Sequence, residues 1–377
     1  MCSFALDASA HVDHSLHSYS NAGLIGLCLH GAEVGVLNMD ELRKSARITS
    51  FDVAERAGVS QSTVSRALSG SSVINEHTRE RVLNAAQELG YFVDERAARL
   101  RRGLTGTLAT VVICKPGGGA RDVNPFSYAL LGSICAAAAQ HGLEVLVSLQ
   151  AEEDKFFGHF VERGQAEGLI VIGTTANRPA WEYFRRIGET CEPVAYWGSP
   201  LGDLDWVLSD NEAGARAAAN HLIDSGASEL VCIGSLGRPQ RQFAERAEAF
   251  MAQARERGIA THLVEIEPGA ARREQGRMAA ERLLADIPGC DGIFAVCDAL
   301  AFGVIEALQA AGRSIPDEVR LVGFDGVPAS EMTFPPLTTI EPDLDLAGRM
   351  LVEAVVGEAP HPNVQRVPVK LTVRGSS

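Results

Sequence analysis

Gln61, Ser62, Ser65 and Arg66 fall inside the stretch "GVSQSTVSRALSG", residues 58–70, whose one formal charge is Arg66. Gln61 and Ser65 are four residues apart, as are Ser62 and Arg66, so on a helix the four share one face. Amides and hydroxyls both donate and accept, a guanidinium grips the two acceptors of guanine, and small side chains allow close approach. That is chemistry suited to reading base edges; a helical hairpin with a polar solvent face is the plainer alternative.

The flanking residues supply the elements that must hold such a face. In "ITSFDVAERAGVS", Thr49 or Ser50 serves as a helix cap with Asp52 in the capping-box region, and Val53, Ala54 and Ala57 turn inward. Gly58 provides a tight turn and Val59 an apolar plug. Ser60 then caps a second helix to about Ser69, with Val64, Ala67 and Leu68 on the inner side. Two helices joined by a short Gly-containing turn make a helix-turn-helix.

The run "ITSFDVAERAGVSQSTVSRALSGSSVINEHTRERVLNAAQELGY" resembles the headpiece of the lactose and galactose repressor family over its whole length. The resemblance rests on D-V-A-x-x-A-G-V-S, T-V-S-R-x-L and T-R-x-R-V-x-x-A-x-x-L-G-Y, in that order and spacing. It implies that Gln61, Ser62 and Arg66 match base-reading positions, and that Thr49, Ser60, Thr63 and Ser65 match phosphate-contacting ones. It also implies a hinge helix that forms on DNA. Leu100 of "DERAARLRRG" holds the position of the Leu that enters the minor groove, Ala97 lies one turn earlier, and Arg99, Arg101 and Arg102 would meet phosphates. Here Tyr91-Phe92-Val93-Asp94 stands where the family has Tyr-x-Pro-Asn, so the rigid stop of a proline is missing.

Composition divides along the same line. The chain of 377 residues has a formal net charge of −14. Residues 41–104 nevertheless carry eleven basic against eight acidic side chains, a balance of +3 that leaves −17 for the rest. A small basic module is fused to a large acidic one. The length points to two or three domains, and no uncharged apolar run is long enough to span a membrane. No basic residue precedes Arg43, so the start does not read as a secretory signal, and the cytoplasm is the expected compartment. Eight cysteines without a C-x-x-C pair support neither a zinc site nor a disulfide framework.

Residues 1–46 read as a tail or a misplaced start, 47–91 as the headpiece, 92–103 as the hinge and 104–377 as the core. From Thr107 onward short β-rich runs, from "LATVVI" to "VRLVGF", alternate with amphipathic helices, which predicts parallel sheets with helices on both faces. Eight strands are better served by two sheets than one. The fold class expected is therefore α/β: an all-α headpiece, then two doubly wound subdomains like those of periplasmic sugar-binding proteins. The first would cover about 107–207 and 340–358, the second about 208–339 and 359–377.

The resemblance continues in "NPF", "DNEAGARAAANHLIDSG", "FAVCDALAFG", "IPDEVRLVGFDG" and "PPLTTI". It implies a ligand between the subdomains, beyond the carboxyl ends of the strands. Arg246 and Asp298 match effector-gripping positions, with Cys297 where an Asn is usual; Phe126, Tyr196 and Trp197 are candidate aromatic walls, and Asp325 of "GFDG" reads as ordering its loop. "KPGGGAR", residues 115–121, lacks phosphate-loop spacing and reads as a loop at the cleft mouth. No catalytic set, metal cluster or cofactor motif is apparent. The expectation is a homodimeric repressor of a near-palindromic DNA operator, controlled by a sugar, sugar acid or nucleobase-like metabolite. A cytoplasmic sugar-binding or sugar-modifying protein with a helical appendage is the alternative.

Overall fold

Thr49 begins the first helix by donating both its backbone N–H and its hydroxyl to Asp52 Oδ2, each at 2.7 Å. These bonds hold the Asp52 carboxyl below its ordinary range. The computed structural model describes residues 48–91, 104–152, 154–190, 193–201, 204, 207–237, 241–357 and 365–377. They fall into two units, one before residue 96 and one after it. The tail and the hinge, with Ala97 and Leu100, lie outside the described residues.

The first unit is three helices, α1 (Ser50–Ala57), α2 (Gln61–Leu68) and α3 (Glu76–Leu89). Gly58 ends α1 with φ of +64°, a left-handed conformation that favours glycine. Asn75 Oδ1 accepts the Thr78 N–H at 2.8 Å to start α3. Val53, Val64 and Val82, one from each helix, are fully buried at the centre. Each contributes roughly 1.5–3 kcal/mol by its burial.

The second unit carries two sheets. Strands β1 (Thr107–Ile113), β2 (Glu144–Gln150), β3 (Leu169–Gly173) and β4 (Val194–Tyr196) form a parallel sheet in the order β2-β1-β3-β4. Helices α4 (Pro125–Gln140) and α5 (Arg178–Gly188) belong to this subdomain. A short parallel pair, β5 (Val207–Ser209) with β11 (Gln365–Val367), lies where the chain passes between the subdomains.

The second sheet contains β6 (Glu229–Gly234), β7 (Ala260–Glu265), β8 (Gly292–Ala295), β9 (Arg320–Phe324), β10 (Thr338–Pro342) and β12 (Val369–Thr372). Its order is β12-β10-β9-β8-β6-β7, with β12 the antiparallel edge. Helices α6 (Asn211–Asp224), α7 (Arg241–Glu256), α8 (Arg272–Asp286) and α9 (Asp298–Ala310) pack around it, and α10 (Leu344–Val356) returns to the first subdomain. The two buried clusters that flank the first sheet and the larger one around the second give each subdomain its own core.

Two boundaries differ from the sequence reading. Residues 340–342 belong to the second sheet, because β10 pairs with β9 and β12, so the chain re-enters the first subdomain at Asp343, the cap of α10. Val367 of β11 packs with Ala347 and Leu351 of α10 in a first-subdomain cluster, although residues after 358 were assigned to the second.

Candidate nucleic-acid interface and effector cleft

Helix α2 is built to present its polar side. Ser60 Oγ accepts the Thr63 N–H at 3.2 Å and lies 2.9 Å from Ser62 Oγ and 2.8 Å from Thr63 Oγ1. Gln61 Nε2 donates to Ser50 Oγ at 3.2 Å, which ties the start of α2 to the start of α1. Thr49, Ser60, Ser62 and Arg66 are exposed, while Gln61, Thr63 and Ser65 are half-buried. Val64 and Ala67 hold the opposite face in the core.

Charge separates the headpiece arginines by task. Arg81 Nη2 donates to the Ala57 carbonyl at 2.6 Å, Arg79 Nη2 donates to the Ser71 carbonyl at 2.8 Å, and Arg56 pairs with Glu88 at 2.5 Å. Arg66 has no ion pair or side-chain hydrogen bond among the described residues. Three guanidiniums hold the fold, and the fourth is left on the exposed face of α2.

In the second unit, Arg246 of α7 is 2% exposed and makes three polar contacts with the protein. Its Nε donates to Asn211 Oδ1 at 2.8 Å, and its Nη1 donates to the Val296 carbonyl at 2.8 Å and to Asp325 Oδ1 at 3.0 Å. The guanidinium lies 3.6 Å above the Phe324 ring centroid. Val296 and Asp325 follow the carboxyl ends of β8 and β9, the position where such sheets take ligands. Among the described residues no acceptor meets Nη2.

Of the two acids, it is Asp325 and not Asp298 that pairs with Arg246. Asp298 is fully buried; its Oδ1 accepts the Thr339 hydroxyl at 2.6 Å and its Oδ2 accepts the Val327 N–H at 3.0 Å. Both oxygens are therefore used inside the protein, to bind β10 and the loop after β9 onto α9. Asp325, read as a loop residue, is the one that meets Arg246. It holds φ of +118°, the one non-glycine residue with positive φ among those described. Burial pushes both carboxyls above their ordinary range, and for Asp298 the negative charge of Asp325 adds to the effect.

The aromatics divide likewise. Phe126, at the start of α4, stands 5.7 Å from Trp197, just past β4, in one apolar cluster that also contains Val327 of the second subdomain. Both face the junction of the subdomains. Tyr196 does not: strand alternation turns it to the other side of the sheet, where it is 1% exposed and its hydroxyl donates to the Phe184 carbonyl at 2.8 Å. Tyr196 is a core residue rather than a wall of the cleft.

Among the described residues, two side chains donate across the subdomains at the cleft. Lys115 Nζ donates to the Gly269 carbonyl at 3.0 Å, and Gln242 Nε2 donates to the Gly198 carbonyl at 3.2 Å. Neither Gln242 nor Arg272, which lies near Asp325 and Cys297, was singled out by the sequence reading. No single motif flags them, because their role comes from which strand ends the two sheets bring together.

Residues 51–93 match bacterial regulatory proteins, lacI family, and residues 219–377 match the periplasmic binding protein-like domain. The chain is 30% identical over 301 residues to the HTH-type transcriptional regulator DegA of Bacillus subtilis, covering 78% of this chain and 86% of that protein. It is 27% identical over 347 residues to the HTH-type transcriptional regulator CelR of Thermobifida fusca, covering 89% of this chain and all of that one. A solved CelR–cellobiose complex has a TM-score of 0.59 at 26% identity, over 88% of this chain and 100% of that one. A lac repressor dimer bound to operator and an anti-inducer shares the fold, with a TM-score of 0.68 at 22% identity over 87% of this chain and 98% of its own. With a helix-turn-helix unit and two parallel-sheet subdomains around a charged cleft, the chain belongs to the lacI family of bacterial regulatory proteins and is a transcriptional regulator.

Proposed function

We propose that Gln61, Ser62 and Arg66 read base edges in the major groove, while Thr49, Ser60, Thr63 and Ser65 fix the headpiece on phosphates. The observation that carries this reading is Arg66, exposed and unpaired on α2 while Arg56, Arg79 and Arg81 are engaged in the fold. Ala97 and Leu100 act in the hinge, where a Leu pair enters the minor groove at the operator centre. The protein works in the cytoplasm as a homodimeric repressor. Two apolar side chains, Met332 and Phe334, each 85% exposed in the loop before β10, support a seam with a second copy.

The effector is a small sugar-like metabolite held by Arg246 and Asp325 between Phe126, Trp197 and the strand ends of the second sheet. The CelR structure with cellobiose supports that class. Its binding changes the angle between the subdomains, and it shifts DNA affinity only by the difference in its affinity for the two states. Competition gel shifts test the reading. Purified protein is expected to select a near-palindromic sequence from a random duplex library at moderate salt, and Leu100→Ala to lose much more specific than non-specific affinity. Absence of sequence preference in the wild type would overturn it.

A further inference from the structure

Ser50 and Gln61 are the first residues of α1 and α2, and a side-chain bond joins them across the turn: Gln61 Nε2 donates to Ser50 Oγ at 3.2 Å. Both residues are half-buried, whereas Ser62 and Arg66 beside them are exposed. The bond caps neither helix. Thr49 and Asp52 already begin α1, and Ser60 Oγ accepts the Thr63 N–H to begin α2. Each partner therefore hangs from a helix start that is fixed without it.

The bond changes the set of groups that Gln61 has left. A side-chain amide carries two N–H donors and one carbonyl acceptor. With one N–H committed to Ser50, one donor and the Oε1 acceptor remain, and among the described residues neither meets a partner. In the major groove adenine offers one acceptor, N7, and one donor, the N6 amino group, which complement that remainder. Guanine offers two acceptors, N7 and O6, and would set Oε1 against one of them. The Gln61 side chain also gives up rotamer freedom to Ser50 before DNA arrives, so less is lost on contact.

We propose that Ser50 is a positioning residue, which fixes the Gln61 amide so that it selects adenine over guanine at one base pair of each operator half-site. The inference rests on Gln61 reading a base edge, and it adds which base is read and what orients the reader. Ser50 acts through Gln61 and needs no base contact of its own.

A panel of duplexes tests it, made from the operator that the full wild-type chain selects from a random library, each with one pair of both half-sites replaced. Anisotropy titration gives the affinity for every member, and Gln61→Ala marks the pair that Gln61 reads as the one where discrimination is lost. At that pair the wild type is expected to prefer adenine over guanine by about ten- to a hundredfold. Ser50→Ala should cut that preference by about three- to tenfold and leave discrimination at the other pairs unchanged. Ser50→Thr, which keeps the hydroxyl, should restore it. Adding Ser50→Ala to Gln61→Ala should cost nothing further at that pair, because the two side chains act as one unit. A Ser50→Ala protein that keeps the adenine preference in full, one that weakens every duplex alike, or a wild type that prefers guanine at that pair overturns the proposal. If Gln61→Ala loses discrimination at no pair, the base-reading role of Gln61 is itself wrong and the positioning role falls with it.

Discussion

Nη1 of Arg246 lies 3.0 Å from Oδ1 of Asp325, and the two side chains are 3% and 7% exposed. A charge pair this dry contributes little net stability by itself, but removing one partner strands the other. Asp325→Ala is expected to lower the unfolding free energy of the core by about 3–5 kcal/mol. Asp325→Asn, which still offers an acceptor to Arg246, should lower it by less. Urea titration followed by tryptophan fluorescence measures both; equal losses in the two variants would show that a neutral acceptor gives Arg246 nothing and that the Asp325 charge accounts for the whole effect.

Arg66→Ala is expected to cost about 1–3 kcal/mol on the preferred operator and to relax discrimination at one base pair of each half-site. Binding to random duplex should change much less. Arg81→Ala makes the contrast, since its guanidinium holds the Ala57 carbonyl at the end of α1 and its loss should lower headpiece stability before it touches specificity. Anisotropy titrations against a set of single-base operator variants distinguish the two. If Arg66→Ala weakens every sequence alike, Arg66 contacts phosphate and not a base.

These two sites differ in how far the sequence carried them. The headpiece was legible because its contacts are local: Thr49 with Asp52 and Ser60 with Thr63 lie three residues apart, and the apolar spacing of Val53, Val64 and Val82 belongs to short helices. Strands β1–β4 and β6–β9 were legible too, since the central ones, parallel and buried on both faces, read as continuous apolar runs. Helix α5 carries Pro179 in its first turn, where proline is well tolerated. Helix α10 contains Gly348; a Cβ there would stand 2.6 Å from the Ser133 backbone, so the glycine permits close packing on α4. The pairing of Arg246 with Asp325 was hidden for a different reason. Which acid meets Arg246 depends on contacts 52 and 79 residues away in sequence, and only the register of β8, β9 and β10 decides it.

Phe334→Asp should shift the protein from dimer to monomer at micromolar concentration and weaken operator binding with it, while the isolated fold stays intact. Placing a charge where a second copy buries an aromatic is costly, whereas on a free surface a substitution is usually neutral within about 0.5 kcal/mol. Sedimentation velocity gives the mass and circular dichroism the fold. An unchanged dimer would move the seam away from this loop.

Gly198 holds φ of +59°, and a Cβ added to it would collide with the Gln242 side chain whose amide bonds its carbonyl. Gly198→Ala therefore strains the backbone and pushes the subdomains apart at the same point. The variant is expected to favour the open cleft, to bind effector several-fold more weakly, and to shift the effector concentration needed for a DNA response by the same factor. Gln242→Ala removes the bond without the strain and should show a smaller shift in the same direction. Small-angle scattering and effector-dependent gel shifts read the two effects; identical behaviour of both variants and the wild type would remove the bond from any role in closure.

The Asp298 carboxyl is pushed well above its ordinary value near 3.8, first by burial and then by Asp325, while Thr339, Val327 and Arg246 pull it back. A raised value means that the folded protein keeps a proton which the unfolded chain has released. The stability contributed by this group is then complete below the unfolded value and declines as pH rises toward the folded one. Asp298→Asn cannot ionise, and its side-chain carbonyl can still accept from Thr339 or Val327. The variant should be less stable than the wild type at acidic pH, through loss of one of these two bonds, and the deficit should shrink as pH rises from about 4 through neutrality. Urea midpoints taken across that range test it; parallel profiles for the two proteins would mean that Asp298 stays ionised in its site.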